Sequence, residues 1–209
     1  MQSTDPRANF ILENASRLIV VATRCAWSFG AADGLNDVLL SRPDQHGEWR
    51  QPVSVLHRDA LLMAALRASI LLDADPKAVS FQTVYHGLKD PSVQAAILQV
   101  LDATRGPDVF SPTRAELIGT YLKTYREIDW KAHGSLVHFR NLGVAHLTLD
   151  KLTKSITLAE LRAMVDVISR LASTMQHLLQ TDTAFREDMV EECSEQVKRV
   201  IDYGPENAR

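Results

Sequence analysis

The 209-residue sequence predicts an all-α protein: an antiparallel, up-and-down bundle of four principal helices with short accessory helices. Three observations lead there. Apolar residues recur every three to four positions in each long segment. No run alternates apolar and polar residues as a half-buried strand would. Only 9 Gly and 8 Pro punctuate the chain, too few for a turn-dense β-sandwich. With 45% hydrophobic and 23% charged residues the usage is that of a globular domain, which excludes disordered and collagen-like classes. The length suits a single domain over 1–209, with a core over about 9–180 and a C-terminal helix over about 183–203 packing on it.

The first element is read from Asn9 to Leu40. Phe10, Ile11, Ala15, Leu18, Ile19, Ala22, Cys25, Ala26 and Phe29 fall on one face, and a kink is expected near Gly30 and Gly34. A loop over Ser41–Pro52 follows, with Pro43, Gly47 and Pro52 as breakers. The next helix, Val55 to Asp73, is apolar almost all round, which suits a bundle centre or an interface. Arg67 is its lone mid-helix charge and is expected to snorkel or to form an ion pair. Ser80 caps a short helix through Leu88, and Asp90-Pro91 opens another that stops before Gly106-Pro107.

Thr113 and Glu116 have capping-box spacing at the start of a long helical region. A break is expected near His133-Gly134, with helix resuming through Val137 to Ala145. Leu158 to Leu179 is a clear amphipathic helix. The last, about Thr183 to Tyr203, places Phe185, Met189, Cys193, Val197, Val200 and Ile201 on one side.

The net charge is −3, so the chain is not coated in positive charge for nucleic acid, and any such contact must be local. Cys25 and Cys193 lack zinc-site spacing and read as reduced thiols. The seven histidines are scattered, and neither a metal nor a cofactor is expected. The longest unbroken apolar run, Ala60 to Leu66, is far short of a membrane span, and no basic start precedes an apolar stretch. A cytoplasmic location is the expectation. Trp27, Trp49 and Trp130 read as packing residues.

One cluster carries chemistry: His138-Phe139-Arg140-Asn141-Leu142-Gly143-Val144-Ala145-His146. Arg, a polar residue, four more residues, then His resembles the catalytic signature of the HEPN superfamily (higher eukaryotes and prokaryotes nucleotide-binding), and its phrasing is similar to the abortive-infection U-type branch. The upstream stretch is similar too: Ser69-Ile-Leu-Leu-Asp73, Pro76, then Ser80-Phe-Gln-Thr-Val-Tyr-His-Gly-Leu88, a core helix ending in Leu-Asp before a Ser-led short helix. The resemblance covers roughly residues 55–180. It implies a metal-independent endoribonuclease with a toxin or phage-defence role, RNA as substrate, a homodimer with the sites at its two-fold interface, and control by an antitoxin or other regulatory protein.

Elementary chemistry is compatible with that implication. An RNA 2′-hydroxyl can attack its adjacent phosphorus if a proton acceptor and a cation are at hand. His146 titrates near neutral pH, Arg140 offers fork geometry for phosphate, and Asn141 can donate and accept, so as to position phosphate or imidazole. Six residues of regular helix set Arg140 and His146 about 9 Å apart on different sides. They converge only if the helix ends near Ala145 or a second subunit contributes. From Tyr121 to Lys154 six bases face three acids, a local basic patch. His138, two residues before Arg140, is read as facing elsewhere.

A second reading stands beside this one. His146 can cap a helix end, and Arg140 can pair with Asp129, Glu127 or an acid on another helix. The chain is then a non-catalytic helical module that binds nucleotide, RNA or a protein partner.

Overall fold

Asp5 and Pro6 open the longest element. The Asp5 carboxylate accepts from the Arg7 backbone N–H at 2.8 Å, and Pro6 sits in the first turn, where no intrahelical acceptor is lost. The resulting helix, α1 (Pro6–Ser41), is continuous for 36 residues in the computed structural model, which describes residues 5–42, 48–109, 111–140, 156–181 and 185–203. Among these residues the protein is all-α, with eight helices and no strand. They are α1, α2 (Arg50–Leu71), α3 (Phe81–Leu88), α4 (Pro91–Arg105), α5 (Arg114–Tyr125), α6 (Trp130–Phe139), α7 (Leu158–Leu179) and α8 (Met189–Tyr203).

The helices are organised around α1. It packs on α2, α7 and α8 along its length and touches α3 and α4. Its buried face runs from Ala8 through Ile11, Ala15, Leu18, Ala22, Cys25 and Phe29 to Leu35 and Val38, as the 3.6-residue period requires. Phe29, Phe81, Tyr121, Leu136, Ile168 and Leu171 are among the largest fully buried side chains.

Gly30 and Gly34 lie inside α1, which is helical without interruption from Pro6 to Ser41. They are the places where α8 lies against α1 backbone to backbone, and a Cβ on either would overlap Val190 O or Ser194 O. Absence of a side chain is what permits that approach. Asp33 lies on the turn between them and takes Arg162 from α7 at 2.5 Å and the Ser194 hydroxyl from α8 at 3.2 Å. The contact face of α8 is accordingly rotated from the expected stripe. Met189, Val190 and Ser194 are buried, whereas Val200 is 73% exposed.

Helix α2 starts five residues before the expected Val55. Pro52 belongs to its first turn rather than to the loop, because a proline there costs no hydrogen bond. Cys25 donates to Ala64 O at 3.4 Å, fixing α2 against the middle of α1. Arg67 takes no carboxylate in this contact. Its guanidinium donates to Arg24 O at 3.1 Å and to the Ser28 hydroxyl. Outward of Arg67, Leu56, Met63 and Ile70 recur every seven residues at 57%, 39% and 48% exposure. Val20 and Trp27, also seven apart, are exposed on α1.

The expected caps form. Ser80 Oγ accepts from the Thr83 N–H at 3.2 Å, Asp90 from Ser92, and Thr113 and Glu116 make the reciprocal capping box. A second box, Thr157 with Glu160, starts α7. The long helix after Thr113 breaks earlier than expected. The interruption is at Arg126–Asp129, where Asp129 accepts from the Lys131 and Ala132 N–H groups and restarts the chain as α6; His133 and Gly134 lie inside that helix. The carboxylate supplies what the first turn of a helix lacks.

Helix α1 is long and apolar enough to cross a membrane by length and composition, a property the unbroken-run criterion did not register. Of its most apolar window 56% is buried against the rest of the protein, as in a core helix.

Candidate functional site

Arg140 follows the last residue of α6 and keeps helical backbone angles. Its Nη1 lies 3.1 Å from Asp73 Oδ2, with the two side chains 28% and 31% exposed. The acid is thus on another element, at the end of α2, and not Asp129 or Glu127. Asp73 is itself firmly placed. Its Oδ1 accepts from the Asp75 N–H at 3.0 Å and its carbonyl accepts from the Ser80 hydroxyl at 2.8 Å. The Asp75 backbone hydrogen bond, with further help from Arg140 and against a smaller opposing effect of burial, holds the Asp73 carboxyl below its ordinary value. The Leu72-Asp73 and Ser80 phrasing of the sequence therefore has a local structural meaning: Ser80 ties the start of α3 to the residue that holds Arg140.

His133 completes the cluster. It stands seven residues before Arg140, two turns along α6 and on the same side. It is 8% exposed, and its Nε2 is buried with no hydrogen-bond partner among the described residues. Burial pushes its pKa down, Asp73 pulls it up, and Arg140 adds to the lowering. The net effect lowers the His133 pKa beside the arginine–carboxylate pair.

From His133 a row of rings leads away across three helices. Trp130 meets His133 edge-on at 5.3 Å between centroids. Tyr125 lies 5.5 Å from Trp130, Tyr85 stacks on Tyr125 at 4.0 Å and 17°, and Lys89 Nζ sits 5.6 Å from the Tyr85 ring centre. Tyr125 is buried, while Trp130 is 44% exposed. Asp129 and Glu127 beside this row are already engaged, the first in capping α6 and the second with Arg170 at 2.7 Å.

Of the three residues the sequence singles out, the structure describes Arg140 alone. Asn141 and His146 lie outside the described residues, as do Gly143 and Ala145, where the helix is expected to end. His138 is in the last turn of α6 and partly buried. Among the described residues no group of three or more His, Cys, Asp or Glu could hold a metal ion.

Sequence reasoning missed His133, Asp73 and the ring row as site residues. The seven-residue separation of His133 and Arg140 was the available signal for the first. The second, and the Tyr85–Tyr125 stack within the third, arise from packing between segments more than thirty residues apart and have no local signature. Taken together, the described residues define an all-α protein with a partly open arginine–carboxylate pair, a buried histidine and an aromatic row that starts from it. No family model matches the chain, and no curated protein or solved structure matches it.

Proposed function

We propose that this chain is a metal-independent endoribonuclease of HEPN type, cytoplasmic, acting in a toxin or phage-defence setting. In this reading Arg140 stabilises charge on the scissile phosphate and His146 transfers the proton as the RNA's own 2′-hydroxyl attacks. Asn141 positions the phosphate or the imidazole. No protein nucleophile and no metal is needed. The observation that carries the proposal is the setting of Arg140. It heads the Arg-Asn-x4-His segment, is held by Asp73 at the rim of the fold rather than sealed in the core, and adjoins His133 and exposed aromatic surface.

RNA is the proposed substrate, and a second copy of the chain is the proposed partner, with an antitoxin or other regulatory protein as a further one. The homodimer is supported by the heptad-spaced apolar residues left exposed on α2, Leu56, Met63 and Ile70, which lead along the helix towards Asp73 and Arg140. A two-fold contact through that face would bring two Arg140 side chains towards one cleft.

The test is cleavage of total RNA in the presence of EDTA, followed by end-group analysis. The expected products carry 2′,3′-cyclic phosphate and 5′-hydroxyl ends. His146→Ala is expected to lower the rate by about 10²–10⁴-fold and Arg140→Ala comparably, with Arg140→Lys only a partial rescue because an ammonium lacks the fork. Asn141→Ala is expected to be milder. Products with 5′-phosphate, complete inhibition by EDTA, or unaltered cleavage by the His146 variant would overturn the assignment. One observation favours a second reading, a non-catalytic helical module that binds nucleotide, RNA or protein: the Arg140–Asp73 pair gives the guanidinium a structural partner already. Absence of cleavage by a correctly folded dimer would select it.

A further inference from the structure

The ring row beside Arg140 is more than core packing needs. Tyr125 and Tyr85 are consumed in stacking on each other, yet the row ends on Trp130, a large apolar ring that is 44% exposed at the first position of α6. Its edge-on contact with His133 and tilted contact with Tyr125 fix the plane of the indole without covering it. Lys131, the next residue, and Arg126, on the turn that leads into α6, are exposed cations. The neighbouring acids each have partners: Asp129 caps α6, Glu127 pairs with Arg170, and Glu160, which lies within electrostatic reach of Lys131, is held in the Thr157 capping box. An ordered aromatic ring flanked by positive charge is the arrangement by which proteins hold unpaired bases: stacking is tolerant of base identity, and cations take the phosphates.

We infer that Trp130 is a stacking platform for an unpaired base of a single-stranded RNA whose backbone runs along α6 towards Arg140. Trp130, His133, Val137 and Arg140 follow one another at spacings of three, four and three, a continuous stripe on the helix. Ten residues of α6 separate Trp130 from Arg140, about 15 Å of rise. At about 3.4 Å per stacked nucleotide, the platform holds a base roughly four nucleotides from the phosphate at Arg140. Duplex RNA, whose bases are already stacked and paired, cannot offer such a base. The inference rests on the ribonuclease reading for the nature of the ligand and adds to it the strandedness of the substrate and the residue that senses it.

The experiment uses the full chain and fluorescence anisotropy with 5′-fluorescein 12-mers. The probes are 2′-O-methyl oligoadenylate, an abasic backbone of the same length, and a 12-base-pair 2′-O-methyl duplex. The 2′-O-methyl group removes the nucleophile, so binding is read without cleavage. Wild-type protein is expected to bind the single strand at least about tenfold tighter than either control. Trp130→Ala is expected to weaken single-strand binding by about 5- to 100-fold, the range of one lost base stack, and to leave binding of the abasic backbone unchanged. Trp130→Phe retains a ring and is expected to stay within a few-fold of wild type, which also serves should the alanine variant not fold.

Equal single-strand affinity of wild type, Trp130→Ala and Trp130→Phe overturns the platform. If total RNA is still cleaved, the ribonuclease reading survives that result. Trp130-dependent binding without any cleavage upholds the platform and removes the catalytic reading. Absence of single-strand binding by wild type overturns the platform, and the cleavage assay then decides the fate of the other proposal separately.

Discussion

Replacing Gly34 with alanine places a methyl group 2.5 Å from Ser194 O and 3.1 Å from Ser194 Cα, both backbone atoms of α8. Ordinary carbon contacts begin at about 3.5 Å, so α8 must recede by about 1 Å or α1 must bend. Forced overpacking of this kind costs about 1–3 kcal/mol. The same substitution at Gly119, in the exposed interior of α5, meets nothing within 4 Å. There only the helix-propensity gain remains, about 1 kcal/mol. That gain is common to both variants, so the difference between them isolates the α1–α8 contact. Gly119→Ala is expected to raise stability by about 1 kcal/mol, and Gly34→Ala to fall about 1–3 kcal/mol below it. The assay is urea unfolding at 25 °C, accepting only variants with unchanged m-values. In thermal scans the gap corresponds to at least about 2–4 °C for a chain of this size. Gly34→Ala gaining as much as Gly119→Ala would refute the claim that backbone contact, rather than helix bending, is what Gly34 provides.

Two further expectations concern titration and reactivity. The His133 pKa is lowered in the folded protein, chiefly by burial, so the unfolded chain takes up its proton first as pH falls. Its contribution is therefore fully present above the unfolded value of about 6.5 and is lost progressively as pH drops below it through the lowered folded value. His57, also lowered by burial, adds a term of the same sign. Urea midpoints of His133→Gln between pH 7.5 and 5 are expected to decline less steeply than those of wild type, and an identical decline would contradict the burial argument. Cys25, fully enclosed, has its thiol pushed up to about 12 by burial. Iodoacetamide at pH 8 is expected to leave it unmodified until urea is added, while the partly exposed Cys193 reacts first; mass mapping of peptides distinguishes the two.

Helix ends were legible where a side chain does the capping. Ser80, Asp90 and the Thr113–Glu116 pair announce themselves by type and spacing, and α7 has the limits its period suggests. The break before α6 was misplaced because Gly134 resembles a breaker, whereas a glycine on an exposed helical face is merely a modest cost. Asp129, with an aspartate's preference for the cap, was the better signal. The close approach of α8 at Gly30 and Gly34 was not legible, because nothing local tells a glycine that bends a helix from one that admits a neighbour. Arg140 was legible through its motif. Its partner Asp73 is 67 residues away, and the ring row joins α3, α5 and α6, so both depend on tertiary packing that periodicity does not encode.

The seating of α8 on Gly30 and Gly34 bears on how the chain matures during synthesis. The groove on α1 is formed by Gly30 and Gly34, but Val190 and Ser194, which close it, follow far later in the chain. Asp33 likewise waits for Arg162 and then Ser194. At about 5–20 residues per second, the interval from Gly34 to Ser194 lasts roughly 8–32 s, during which the face of α1 at Gly30 and Gly34 lacks the helix that covers it. Nascent chains stalled before α8 should therefore recruit chaperones and proteases, and removal of α8 should convert a well-folded protein into a chaperone client.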